Sequence, residues 1–479
     1  MKRKVYRAAS CVMVISILIM MLSHMAEVVE RKDSYFKYEP FYEERENFDV
    51  LFMGTSHVLN AVYPMELWAD YGIVSYNFGG HGNYLPTTYW IMKNVLEYTS
   101  PKLMVIDCFF LGQSEKMRDM DQQHISLDSI PFGKIKMEGV RDIVEDKKRR
   151  MDFLWDFAVY HNRWNELDRE DFEKEMSREK GAESRIGLTN EPDISEDINN
   201  CRLVEETAGV EYLRKIIEEC QRREIEVLLT YLPSPTIKEY QAEVNTASDI
   251  AKEYGVNYLN FCDLNMLNYE ADCIDRVFHL NPSGARKVTD YLGKYIKEHY
   301  KIPDQRSNPA YMGWNDDYED YRSFKLENMQ KQETLDTYLM LLADKNYDIL
   351  IEINNKRIYG DKLYSKLLYN LGIDLSRLTE KNDFLLIGEG GKIVDYINGL
   401  KKAGGSFDTL MGEIGLYYNE EGAYGVYWGG NECCVVPSDA EYDIRILTYE
   451  TGSRRLLDDV CAQYLYDEAS GEFIVEIKR

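Results

Sequence analysis

The sequence predicts an α/β protein: three layers around a parallel five-stranded sheet, an N-terminal transmembrane anchor ahead of it, and a smaller β-rich or α+β domain behind. Three observations lead there. Five short, nearly all-apolar runs alternate with amphipathic stretches between Phe48 and Tyr300, the pattern of strands covered on both faces. One long uncharged run lies at the N-terminus. Past about residue 336 the pattern changes to alternating strands between Gly-rich turns. At 479 residues the chain exceeds what one core usually serves, so two folded units are expected.

The anchor comes first. Met1-Lys2-Arg3-Lys4 and Arg7 precede an uncharged run from Ala8 to Ala26. As a helix this run spans roughly 28 Å, about one hydrocarbon core. Basic residues ahead of it predict a cytoplasmic N-terminus, with everything beyond residue 32 on the other side. No clean Ala-x-Ala site follows, which favours an uncleaved anchor over a signal peptide. Residues 1–32 are therefore read as a cytoplasmic tip and anchor of a single-pass cell-membrane protein, and Glu27 to Asn47 as a polar stalk.

Within 33–305 the strands are expected at 48–53, 73–77, 102–107, 226–231 and 256–261, with helices near 64–71, 86–98, 207–223 and 237–254 and a last one from Pro282 to Tyr300. Ligands of parallel sheets bind at the carboxyl ends of the strands. Gly54-Thr55-Ser56-His57 and Asn77-Phe78-Gly79-Gly80-His81-Gly82 follow the first two strands, at those ends. Residues 111–200 interrupt the alternation as a charged, partly helical insertion, read either as a lid over the ligand end or as a solvated hairpin. Residues 306–336, with Pro309, read as a linker, and 337–479 as the second module, with strands at 347–353, 384–388, 424–428, 442–449 and 472–477.

Composition narrows the function classes. A net charge of −26 and no basic stripe with interleaved aromatics argue against nucleic acid. The nine cysteines show no zinc-like spacing, so no metal is implied, and no cofactor motif is present. Cys108 and Cys262 lie in apolar strands and read as core residues.

What remains is a serine, a histidine and backbone donors. A serine hydroxyl at neutral pH needs a base within hydrogen-bond reach and donors for the oxyanion. Ser56 lies where a strand meets a helix, so its own N–H can face an anion. The glycines at 79, 80 and 82 permit close backbone approach. His279 precedes Leu280-Asn281-Pro282-Ser283-Gly284-Ala285, a helix entrance that can hold a base in place.

These blocks, in this order, resemble the SGNH (GDSL-like) hydrolase superfamily, and more narrowly its membrane-anchored members from polysaccharide O-acylation systems. The resemblance covers roughly residues 48–300. Ser56 matches the nucleophile of Gly-x-Ser, Asn77 to Gly82 matches Asn-x-Gly-x-x-Gly at each fixed position, and His279 matches the base. The resemblance implies that Gly82 donates its N–H to the oxyanion. It also implies a serine acyltransferase or esterase acting on O-acyl groups, acetyl first, of an envelope or exported polysaccharide, beside a multi-pass membrane acyl exporter.

The chain departs from the pattern twice. The third block's Asn is missing after the third strand, where Cys108-Phe109-Phe110-Leu111-Gly112-Gln113 stands, leaving Asn83 or Gln113 as substitutes. The acid normally three residues before the histidine is Arg276, so Asp275 is assigned to orient His279, with Asp272 and Asp263 in reserve. These departures motivate the alternative of a catalytically inactive polysaccharide-binding or assembly protein with the same fold. A third reading is an acyl group other than acetyl, such as D-alanine. The C-terminal module resembles the interleukin-like EMT inducer type of domain, which points to glycan binding; partner docking is the other reading.

Overall fold

The computed structural model describes residues 2–30, 35–44, 47–117, 120–155, 157–169, 171–172, 177–189, 199–235, 237–353, 361–373, 384–398, 405–409, 412–418, 424–428, 431–436, 442–467 and 472–479. The chain divides into two compact units. The first holds 1–183, 194–265 and 289–311; the second holds 184–193, 266–288 and 312–479.

The core of the first unit is a parallel sheet of β1 (Val50–Gly54), β2 (Ser75–Gly79), β3 (Leu103–Asp107), β4 (Glu226–Tyr231) and β5 (Asn257–Asn260), in the order β2-β1-β3-β4-β5. Every residue of β1, β2 and β3 is buried, which is why β1 and β3 read as apolar runs, while β2 buries the polar Ser75 and Asn77 among its aromatics. The strand order reverses between β2 and β3. Right-handed crossovers then send the helix after β1 to one face and those after β2 and β3 to the other. Contacts agree. Leu85–Val95 packs with Ala208–Arg222, while Gly293, in the half of Pro282–His299 that belongs to this unit, packs on Leu67 and Tyr71 of Pro64–Tyr71. Ligand binding is favoured at the carboxyl ends of strands beside such a reversal, and β1 and β3 are neighbours there.

The stretch read as a polar stalk is partly built into this unit. Tyr35–Glu44 is helical and buries Tyr38 and Phe41, with the Phe41 ring against Phe48, Tyr76 and Phe78. Its aromatic residues were disguised by four interspersed charges, Lys37, Glu39, Glu43 and Glu44. The inserted helices Met120–Leu127 and Lys134–Ile143 pack on Leu85–Val95: Gln123 pairs with Thr87, and Trp90 Nε1 donates to Asp142 at 2.9 Å. The N-terminal helix Lys2–Val29 carries one segment, Ser10–Val29, long and apolar enough to cross a membrane, with its side chains exposed from Val12 to Met25.

The second unit is rich in β-structure. Its strands are β6 (Tyr347–Ile353), β7 (Phe384–Glu389), β8 (Lys392–Asn398), β9 (Gly405–Thr409), β10 (Gly412–Tyr418), β11 (Tyr424–Trp428), β12 (Asn431–Val436), β13 (Ile444–Glu450), β14 (Leu456–Asp467) and β15 (Glu472–Lys478). Six form an antiparallel sheet in the order β15-β14-β13-β6-β7-β8, and four form a second, β12-β11-β10-β9. Helices Leu335–Leu342 and Lys362–Asn370 close the core with Leu339, Ile349, Leu367 and Ile446. The stretch taken as a linker, 306–336, contains the helix Gly313–Gln330. Only Trp314, Tyr321 and Met329 of that helix are buried, too sparse a stripe to show in the sequence. The long strand β14 was missed because Asp458 and Asp459 break its apolar pattern. Asp459 takes a hydrogen bond from the buried Arg445 Nε at 2.9 Å. The side chains of Cys433 and Cys434 lie outside the described residues; Cys108, Cys220 and Cys273 are buried free thiols.

Candidate active site

Ser56 is held by the two motifs that follow the first strands. β1 ends at Gly54, Thr55 caps the helix Ser56–Ala61, and Ser56 is that helix's first residue, half-buried. The Thr55 hydroxyl accepts the His57 N–H at 3.2 Å, the usual way a cap satisfies a first-turn donor. The far end of this short helix is secured by Asn77, whose side-chain amide donates to the carbonyls of Val58 and Val62, each at 2.8 Å, while its Oδ1 accepts the Gly79 N–H at 2.8 Å. Gly79 must lack a side chain: a Cβ there would sit 2.3 Å from the Leu59 nitrogen. The Asn and first Gly of this motif therefore fasten the serine helix onto β2.

The loop beyond β2 carries the remaining donors. Gly82 is buried with φ of 62°, and its N–H has no acceptor among the described residues. Asn83 is buried; its Oδ1 accepts from the Ser126 hydroxyl, while its Nδ2 has no hydrogen-bond partner among the described residues. His81 is half-buried, its Nε2 3.3 Å from the Glu183 carboxylate. His57 is buried, with Nδ1 3.3 Å from the Thr55 hydroxyl and its ring 4.2 Å from that of Phe109.

Where the resemblance expects an Asn, β3 runs into an aromatic turn. Phe110 adopts φ of 69°, and the carboxylate of Glu243 braces the turn by accepting from the N–H groups of Phe110 at 3.2 Å and Gly112 at 2.8 Å and from the Tyr231 hydroxyl at 2.8 Å. Gln113 closes the turn with its backbone, donating to Phe110 and accepting from Gly209. A second acid stands at the end of β3. Asp107 is buried, and its Oδ1 accepts the Leu232 N–H at 3.0 Å, while Oδ2 has no partner among the described residues. A Cβ on Gly54 would come within 2.9 Å of the Asp107 Cβ, so this carboxyl lies beside the strand end that leads into Ser56. Burial pushes both acids up to about 7, against the pull of their backbone donors.

The residues expected as base and acid, His279 and Asp275, belong to the second unit. Cys273 and Leu280 pair as an antiparallel bridge, and the Ile274 N–H donates to the His279 carbonyl at 2.8 Å, so 273–280 forms a tight hairpin. Across its mouth His279 Nδ1 lies 2.6 Å from Asp275 Oδ2, and Asp275 Oδ1 accepts the N–H groups of Val277 and His279. Burial would raise this carboxyl, but the His279 ring and those N–H groups outweigh it and hold it below its ordinary value. A spacing of four residues works because Phe278 takes φ of 66°, absorbing one extra residue. That conformation costs about 1–3 kcal/mol; Phe278 is buried and stacks on Tyr269 at 4.4 Å, which offsets it. The ring nitrogen left over, Nε2, is the one a base would use.

The reserve acids have other places. Asp272 is fully buried and accepts from Ser283, Lys287, Asn370 and the Asn268 N–H. Asp263 is exposed in the turn after β5. Asn281 caps the last helix, accepting from Ser283 N–H and Gly284 N–H, and its amide donates to Ala271 and Gly187. Thus the structure joins Asp275 to His279, and Ser56 to Asn77 and Gly79, each set inside its own unit. Glu243 escaped sequence reasoning, although a signal was present: it shares a helical stripe with Ala247, Ile250 and Ala251, where an apolar residue is the rule.

A scan of protein-family models finds no match to the chain, and a search of curated proteins finds none either.

Proposed function

We propose that this protein is an SGNH-type serine acyltransferase or esterase, held in the cell membrane by its N-terminal helix with the rest of the chain outside the cytoplasm. It acts on O-acyl groups, acetyl first, of an envelope or exported polysaccharide. Ser56 Oγ attacks the ester carbonyl carbon while His279 Nε2 takes its proton. The displaced π pair becomes an oxyanion that the N–H groups of Ser56 and Gly82 hold. Collapse expels the alcohol, protonated by His279, and leaves an acyl-serine. Water as the second acceptor makes the protein an esterase; a sugar hydroxyl makes it a transferase. A multi-pass membrane acyl exporter is the partner this chemistry calls for, and the C-terminal unit is proposed as a glycan-binding module.

The observation that carries the reading is the 2.6 Å contact between His279 and Asp275, which holds the ring with Nδ1 toward the acid, the orientation a triad base requires. A buried Gly82 N–H without an acceptor among the described residues supports it. The test uses residues 33–479 with an aryl acetate and a serine-directed phosphonate. Wild type is expected to turn over the ester and to be labelled at Ser56. Ser56→Ala and His279→Ala each abolish turnover, and the double variant is no worse than either, the behaviour of residues acting as a unit. Additive losses, or labelling that persists in Ser56→Ala, sink the proposal.

A second reading is a catalytically inactive polysaccharide-binding or assembly protein. The aromatic turn after β3 favours it, because the Asn that the resemblance expects there is missing, and losing one such donor typically costs about 10²–10³ in rate. Glycan binding without phosphonate labelling would favour this reading.

A further inference from the structure

We propose that the inserted residues Trp155, 157–169 and 171–172 form an interfacial membrane anchor that seats the first unit on the bilayer at the carboxyl end of the helix Lys2–Val29. The inference is independent of acyl chemistry and rests on reading that helix as a membrane span.

The contact that sets the level is a helix cap. Arg163 Nη1 donates to the carbonyls of Val29 at 2.9 Å and Glu30 at 2.7 Å, the last of the N-terminal helix, and its Nη2 donates to the buried Asp171 carboxylate at 2.9 Å. A cation on terminal carbonyls suits both their hydrogen bonding and the helix dipole. Asp171 is itself held, accepting the Asp168 N–H at 3.1 Å. The short helix Phe157–Tyr160 and the 3₁₀ turn His161–Asn165 pack against the same helix. From Ser10 through Met25 the side chains are exposed, and burial by protein begins at Ala26. That change marks where lipid would give way to protein.

Large aromatic side chains crowd this level. Trp164, next to Arg163, is 66% exposed; Phe172, next to Asp171, is 64% exposed; and Trp155, whose ring lies 5.8 Å from that of Phe157, is 48% exposed. Side chains of this size rarely stand in water together without an occupant. Tryptophan favours the headgroup level of a bilayer, where its ring is half apolar and its N–H is hydrated. The occupant is therefore the membrane surface. The neighbouring charges, Lys147, Lys148, Asp168 and Arg169 among them, are of both signs, so uncharged phospholipid suffices.

The test puts the full-length protein in phosphatidylcholine vesicles, with and without bromine on the upper acyl chain. Bromolipids quench tryptophans that reach the interface. Trp68, Trp314 and Trp428 are buried and Trp90 is bonded to Asp142, which leaves Trp155 and Trp164 as the reporters. Bromolipid is expected to quench wild-type emission, and the Trp155→Phe, Trp164→Phe double variant is expected to lose most of that quenching while keeping its circular dichroism. Equal quenching in wild type and variant overturns the proposal. So does unhindered access of aqueous acrylamide to both indoles in vesicles, which would assign the patch to a protein partner. Extraction of the protein by alkaline carbonate tests the span separately, so failure of the helix reading is not confused with failure of the patch.

Discussion

Replacing Asp107 by Asn should remove part of the protein's dependence of stability on pH. Asp107 and Glu243 are both buried and pushed up to about 7 by burial. In the unfolded chain the same groups titrate near ~3.9 and ~4.3. Between those limits the folded state binds more protons than the unfolded state. Their stabilising contribution is therefore complete below about pH 4 and is lost as pH rises through about 7. From about pH 5 to pH 8, one such carboxyl loses roughly 2.5 kcal/mol, at about 1.36 kcal/mol per unit of separation. Asp107→Asn retains an oxygen for the Leu232 N–H and carries no charge, so its stability should fall by roughly 2.5 kcal/mol less than wild type over that interval. The assay is urea unfolding of both proteins at the two pH values, followed by far-ultraviolet circular dichroism. Comparing the two slopes cancels the other titrating groups. Identical slopes would refute the reasoning, since they would mean that water or a counter-charge reaches the Asp107 carboxyl in the folded chain.

Three further outcomes follow from the same contacts. Asp275→Asn removes the charge beside His279 and, with its oxygen kept on the Val277 and His279 N–H groups, turns an NH2 toward Nδ1 and favours the wrong tautomer; on the proposed chemistry turnover of an aryl acetate should fall by about 10²–10⁴ with binding of product glycan unchanged. Gly79→Ala puts a methyl group 2.3 Å from the Leu59 nitrogen; the serine helix must move, and unfolding should come at lower urea by about 1–3 kcal/mol of stability. Arg286→Met strips one partner from the buried Asp344, which Arg286 and Lys325 hold at 3.2 and 2.8 Å; breaking that cluster should cost about 3–5 kcal/mol, read as a lower thermal midpoint.

Much of the parallel sheet was legible because β1, β3 and most of β4 are buried on both faces, so each appears as an apolar run closed by Gly or a polar residue. The helix Pro64–Tyr71 shows the same clarity, with Pro at its first position and Gly72 in the left-handed cap. The second unit was harder. β8 to β10, β12 and β14 mix acids, glycines and apolar residues, and their identity as strands depends on cross-strand partners such as Arg445 and Asp459.

The same division runs through the candidate site. Local chemistry is written in the chain: a serine after a strand, a glycine-rich loop, a histidine before an Asn–Pro helix start, and an apolar helix ahead of them all. These follow from propensity, periodicity and capping, which act over a few residues. Folding alone chose Asp275 over Asp272 as the partner of His279, because the left-handed Phe278 brings the first into reach while Ser283, Lys287 and Asn370 occupy the second. Folding alone also buried Asp107 and Glu243 beneath the turn after β3 and placed Arg163 on the last carbonyls of the N-terminal helix. The bracing of the turn by Glu243 and the seating of Arg163 depend on desolvation and on partners more than a hundred residues away, beyond the few residues over which propensity and capping act.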